Sequence, residues 1–479
     1  MECSRVPRRW GAFGGALFRN VPPVPAWLPG LTLREAVPIV AEIRMATPAP
    51  SQGRAPLAAL TKGMTRTVLG ILLFEFSWGL GMPFGLYVSM VPAYLTALGA
   101  SKSLMGFAMT FWTVLIPLQL LGGHFFARRG RVRALMAIWM TATGIRLVYD
   151  ALALFVPGMW APGSLTFFFV FACGLYISLY VIGQAIYMGV LTDNIPRLRR
   201  GWIFGLRSLV LGVSGMVMGI AASWVLHRWA SPVNYRVSFL VCDTLWTLSS
   251  LSLLLIHDGH VHRPASRAAG FFRSLAAKLK ILLANPNYRI FLFFHMLNSV
   301  AFTITTFIIP FSKEKLGIPD SLLALLSVIY LATNVAFGSL MGKLADKAGY
   351  RSVGALQSLL LLAFFLIAVA SRSFAAICVA YVLSSVVNMS ASFMLVNMSV
   401  ELCPSLGVTD LTALGGTLLL PFVGIAAPVA GRIVDVTDNY AAVFYIGATI
   451  AVIALIGFAF LVREPRSGRL YIIKQIAMR

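Results

Sequence analysis

The chain has 479 residues, of which 59% are hydrophobic and 11% charged, with a mean hydropathy of +0.84. A soluble globular chain carries about 25% charged residues, so this one has too little polar surface to cover itself in water, and a soluble globule is excluded. Its net charge of +23, from 39 Lys and Arg against 16 Asp and Glu, would on a soluble chain suggest nucleic acid; here the placement of the charges assigns them to membrane topology.

In chain order, the first 62 residues form no span. They are rich in Pro and Arg, and the run WGAFGGALF is short and stops at Arg19. They read as a disordered basic tail, or as an extension upstream of a start at Met45 or Met64; a secretory or twin-arginine signal is the weaker alternative. A spanning helix needs about 20 mostly apolar residues, and twelve segments qualify. The first six are 67–96, 104–126, 134–156, 163–191, 202–226 and 237–256. The linker 257–288 follows, with Phe272, Leu275, Leu279 and Leu282 at helical spacing and Arg273, Lys278 and Lys280 elsewhere on the wheel. That pattern predicts a helix lying on an anionic leaflet. The last six spans are 290–311, 321–342, 353–370, 374–400, 409–431 and 441–462. Period-two strands are absent. The expected fold is an all-α integral membrane bundle, divided as tail 1–64, six-helix half 65–256, linker 257–288, six-helix half 289–463 and tail 464–479.

Lys and Arg favour the cytoplasmic side of a membrane. With the N-terminus cytoplasmic, 30 of them fall on that side and 7 on the other, while Arg146 and Arg207 lie inside spans. Both termini are therefore expected in the cytoplasm. The five cysteines are scattered, without a CxxC pair or metal-ligand spacing, and read as small buried apolar residues. The linker histidines His257, His260 and His262 read as ordinary loop residues, so no metal or cofactor is expected.

Two echoes connect the halves. GHFFARRGRVR follows the second span and GKLADKAGYR the eighth, so that Gly123 aligns with Gly342, Arg128 with Lys347 and Gly130 with Gly349, all at an offset of 219. Asp193-x-x-Pro196 and Glu401-x-x-Pro404 follow the fourth and tenth spans at an offset of 208. These echoes argue for two pseudo-symmetric six-helix halves in parallel. The chain here resembles the major facilitator superfamily, which carries G-x-L-A-D-[RK]-x-G-[RK]-[RK] after helices two and eight. Gly342, Leu344, Ala345, Asp346, Lys347, Gly349 and Arg351 match the second copy, and DNIPRLRRGWIFGL (193–206) resembles the loop after helix four. The resemblance implies a secondary transporter whose halves rock about a central site. It also implies a gating role for Gly123, Arg128, Gly130, Asp193, Gly342, Asp346, Lys347, Gly349, Arg351 and Glu401. Ala127 stands where the first copy has its Asp, which leaves Arg128 and Asp193 to form a partial network. Helix five lacks the Gly-Pro pair of the family's drug antiporters, which weakens an efflux reading.

Ionisable groups inside spans are costly and by default face a cavity or a partner. Glu75, in LGILLFEFSWGLGMPFG, lies about 12 Å into the first helix and shares a face with Trp78 and Met82. It is the candidate proton-coupling carboxylate; the alternative is a structural hydrogen bond. The resemblance implies that helices one, four, seven and ten line the cavity. Tyr176, Tyr180, Gln184 and Tyr187 share one face of helix four, His295, Asn298, Phe302 and Thr305 one face of helix seven, and Ser384, Asn388 and Ser392 one face of helix ten. Each stripe reads equally as interhelical hydrogen bonding. The candidate cavity set is Glu75, Trp78, Tyr180, Gln184, Tyr187, His295, Asn298 and Asn388. Arg146 and Asp150, four apart, are expected to pair with each other; Arg207 reads as a gating or snorkelling residue, and Asp243 is unassigned.

The expectation is a non-enzymatic, monomeric carrier in the cell membrane, secondary active or facilitative, moving a small solute with protons as a candidate coupling ion. An organic cation, an amphiphile or a neutral metabolite suits the aromatic stripes better than a polyanion. The alternative is a non-transporting sensor or assembly factor on the same scaffold.

Overall fold

The computed structural model describes residues 57–125, 130–161, 163–195, 200–257, 271–403, 406 and 408–465. Among the described residues, twelve helices are long and apolar enough to cross a membrane. In the first half they are α1 (Thr65–Ala97), α2 (Lys102–Gly122), α3 (Arg131–Phe155), α4 (Ser164–Asn194), α5 (Trp202–Arg228) and α6 (Val233–Leu255). In the second they are α7 (Pro286–Glu314), α8 (Asp320–Gly338), α9 (Leu340–Ala370), α10 (Phe374–Leu402), α11 (Leu414–Thr437) and α12 (Tyr440–Leu461). The fold is all-α, with two six-helix halves and no strand among the described residues. Large apolar side chains point outward from the bundle: Ile220 is 74% exposed and Phe460 79%. That is the surface a lipid solvent selects.

Local sequence sets the helix ends. Ser101 caps α2 by accepting from Leu104 N at 3.2 Å, and Asn285 caps α7 by accepting from Asn287 N at 3.0 Å. Asn439 caps α12 through Ala442 N at 3.1 Å. In each case a side-chain oxygen satisfies an N–H that the first turn leaves open. The chain Asp320–Ala370 runs on in helical hydrogen bonding but breaks at Gly349, where φ is 81° and ψ 166°. Its counterpart Gly130 has φ 83°, so the two glycines aligned across the repeat share a left-handed φ that residues with a Cβ avoid.

The second-copy motif fastens α9 to the end of α12. Glu464 accepts from Arg351 N at 2.8 Å, and Arg351 donates to Phe458 O at 3.0 Å and to Ala459 O. An arginine is thus spent on the open carbonyls of a helix C-terminus. Asp346 and Lys347 are exposed, Glu401 is half-buried and Gly342 lies within the helix. Gly123 lies near the end of the helix Gln119–Phe125; Arg128 and Ala127 lie outside the described residues, as do 1–56, 258–270 and 466–479. The linker does form a helix, Phe271–Ala284, with Leu282 buried and Lys280 exposed.

One expected pairing is corrected. Arg146 meets Asp243 of α6 at 3.2 Å rather than its helical neighbour Asp150. Asp193 accepts from Arg131, the first residue of α3, at 2.7 Å; Arg128, expected in its network, lies outside the described residues.

The halves meet most closely at the end away from the α2–α3 loop. Gly106 of α2 leaves no room for a Cβ against Ala427 O of α11, and Gly431 none against Lys102 O. Asp435 accepts from Lys102 N at 2.7 Å, from Ser103 N at 2.9 Å and from the Ser103 hydroxyl. Lys102 also pairs with Glu314 of α7, and Asn234 of α6 donates to Asp320 of α8 at 3.0 Å.

Candidate functional site

A cavity of about 570 Å³ lies between the halves, within the range that holds small organic ligands. Six of the eight candidate residues line it: Trp78, Tyr180, Gln184, His295, Asn298 and Asn388. They arrive there from α1, α4, α7 and α10 because helical spacing puts the polar positions of each span on one face.

Glu75 and Tyr187 stand outside the lining. Glu75 is 2% exposed, forms an ion pair with Arg207 of α5 and accepts from the Tyr187 hydroxyl at 2.9 Å. Arg207 also stacks over the Tyr187 ring, 5.4 Å from its centroid. The guanidinium therefore turns inward to a carboxylate, where snorkelling to the membrane surface would have turned it outward. Charges buried at this depth persist when each is answered by a partner, and α1, α4 and α5 each supply one member.

Other wall residues were not legible from the four expected helices. Trp112 and Gln119 come from α2, Trp246 from α6, Tyr330 from α8 and Gln357 from α9. Trp246 donates to Trp78 O at 2.9 Å, and Asn388 donates to the Tyr330 hydroxyl at 2.6 Å. Gln357 stands in the apolar run LQSLLLLAFF; a lone amide in such a run is the signal that could have marked it. Asn298 donates to Gly354 O at 3.3 Å and accepts from Ser358 at 2.8 Å, which fixes its amide against α9.

Among the described residues, no Asp, Glu, Lys or Arg lines the cavity, and no group of three His, Cys, Asp or Glu is gathered as a metal site. Cys173, Cys242 and Cys403 are buried as free thiols. The arrangement offers aromatic faces, amides and hydroxyls.

Residues 291–475 match the family model of the Major Facilitator Superfamily. Solved structures match over most of the chain. The second half of the chain thus resembles that superfamily, and the chain shares its fold with solved transporters. The nucleoside transporter NupG superposes with a TM-score of 0.60 at 13% identity, covering 82% of this chain and 98% of that one. A bacterial homologue of the human drug peptide transporters PepT1 and PepT2 gives 0.58 at 13% identity, covering 86% and 100%. A POT family transporter in complex with 5-aminolevulinic acid gives 0.59 at 13% identity, covering 82% and 96%. At this identity the likeness is one of fold. No curated protein sequence matches the chain. In this fold the cavity lies at the seam between the two halves.

Proposed function

We propose that the protein carries a small uncharged solute across the membrane by exposing the central cavity to one side and then the other. The observation that carries this reading is an uncharged cavity lining of aromatic rings, amides and hydroxyls at the seam of the halves. A cationic solute would need an acidic partner there, and Glu75 is already committed to Arg207; an anionic solute would need a lysine or arginine. Of the solved structures named above, NupG is a nucleoside transporter, and a nucleoside is a solute that a cavity of this size admits.

The loop end, rich in Lys and Arg, is placed in the cytoplasm by its charge. The cluster of Lys102, Ser103, Asp435 and Glu314 then closes the opposite face, and its release opens it. In this reading Glu75 acts as an anchor of α1 to α5, and its expected part in proton coupling gives way to that.

Counterflow in proteoliposomes tests the proposal. Purified protein should exchange at least one neutral solute saturably from a panel of neutral, cationic and anionic metabolites. Exchange confined to charged solutes, or none across the panel, would overturn it.

A further inference from the structure

The two walls of the cavity differ in chemistry. The first half supplies rings. Trp78 lies flat on Trp246, with centroids 4.4 Å apart and planes 2° apart. Tyr180 meets Trp78 at 5.6 Å and the edge of Trp112 at 5.2 Å. Trp78 and Tyr180 lie 31° apart and Trp112 stands at 78° to Tyr180, and aromatic faces favour stacked flat partners.

The second half supplies hydrogen-bonding groups that its own packing leaves unspent. Ser390 donates its single hydroxyl proton to Val386 O at 2.8 Å. It can therefore only accept from Gln357 Nε2, which stands 2.8 Å away. That fixes which way the Gln357 amide points. Its carbonyl oxygen Oε1 is buried without a partner, on a residue 1% exposed that lines the cavity. His295 Nδ1 is likewise buried without a partner, on a residue that lines the cavity, and Asn388 gives one of its two amide protons to Tyr330. Buried polar atoms are almost always satisfied, so the Oε1 of Gln357 has an unfilled need for a donor.

We propose that the cavity takes an uncharged ring compound whose flat face stacks on Trp78 and Tyr180, with Trp112 as a side wall, and whose edge presents an N–H or O–H to Gln357 Oε1, with His295 Nδ1 as the second edge contact. The inference rests on the transport reading above and names the class of solute. A puckered polyol would use the amides and waste the rings; a purely apolar ring would stack and leave Gln357 unsatisfied.

Uridine is a suitable probe, since its flat neutral base carries an N–H between two carbonyls. N3-methyluridine removes that donor, while ribose and choline lack the base. Indole fluorescence and thermal melting of the purified full chain report binding. Uridine should quench saturably, and N3-methyluridine should bind about tenfold more weakly, the weight of one hydrogen bond. Gln357→Leu should weaken uridine about tenfold and bind the two nucleosides equally, with its ligand-free melting curve reporting that it folds. Equal binding of both nucleosides to the wild type would overturn the edge assignment without any variant. Binding of ribose or choline but neither nucleoside, or of none of the four, would overturn the class. Counterflow of a solute without a ring would sink this inference and leave the transport reading standing.

Discussion

At the residue scale, the buried charges of the first half include two ion pairs, Glu75 with Arg207 and Arg146 with Asp243, and Asp150 is buried as well. Removing one member of a buried pair strands the other, at a cost of about 3–5 kcal/mol. Glu75→Gln should therefore lower stability by that order, and the double variant Glu75→Gln, Arg207→Gln should recover part of the loss, as read from denaturation of the purified protein. Equal stability of the single variant and the wild type would mean that the pair does not hold α1 to α5. The same logic separates Arg146's neighbours: Asp243→Asn should destabilise more than Asp150→Asn, and the reverse order would restore the helical pairing. Sequence showed which charges were buried, because an acid in an apolar run is conspicuous. It did not show who pairs with whom. Spacing of four favoured Asp150, yet α6 brings Asp243 to Arg146, and only the packing of helices contains that fact.

At the scale of elements, the twelve spans were legible because lipid demands unbroken apolar length, and the repeat was legible through its aligned glycines, of which Gly130 and Gly349 share a positive φ. Gly349 has φ 81° and ψ 166°, a region that other residues occupy at a cost of about 1–3 kcal/mol. A Cβ there would also collide with the Glu464 carboxylate. Gly349→Ala should lower stability by at least that amount and loosen α9 from α12, measured as a lower melting temperature; an unchanged melt would show that the motif glycine is free to be replaced. The contributions of α2, α6, α8 and α9 to the cavity were not legible. A resemblance indicates which helices usually line a cavity, whereas Trp112, Trp246, Tyr330 and Gln357 reach it through the tilt and neighbours of each helix.

At the scale of the whole molecule, the halves are held at the end away from the α2–α3 loop by Asp435, which accepts from the backbone of Lys102 and Ser103 and from the Ser103 side chain. Asp435→Ala removes the acceptor for all three donors and should shift the protein toward the conformation open on that face. Cysteines placed in the cavity would then label faster from that side; an unchanged rate would mean that Asp435 is no part of the gate.

The central claim is that the solute passes through this cavity. Its most direct test is Asn388→Cys in a chain whose five native cysteines are replaced. Asn388 lines the cavity, so N-ethylmaleimide should abolish counterflow of the neutral solute, and saturating solute should protect against the block. Complete labelling with undiminished counterflow would place the route elsewhere and contradict the account.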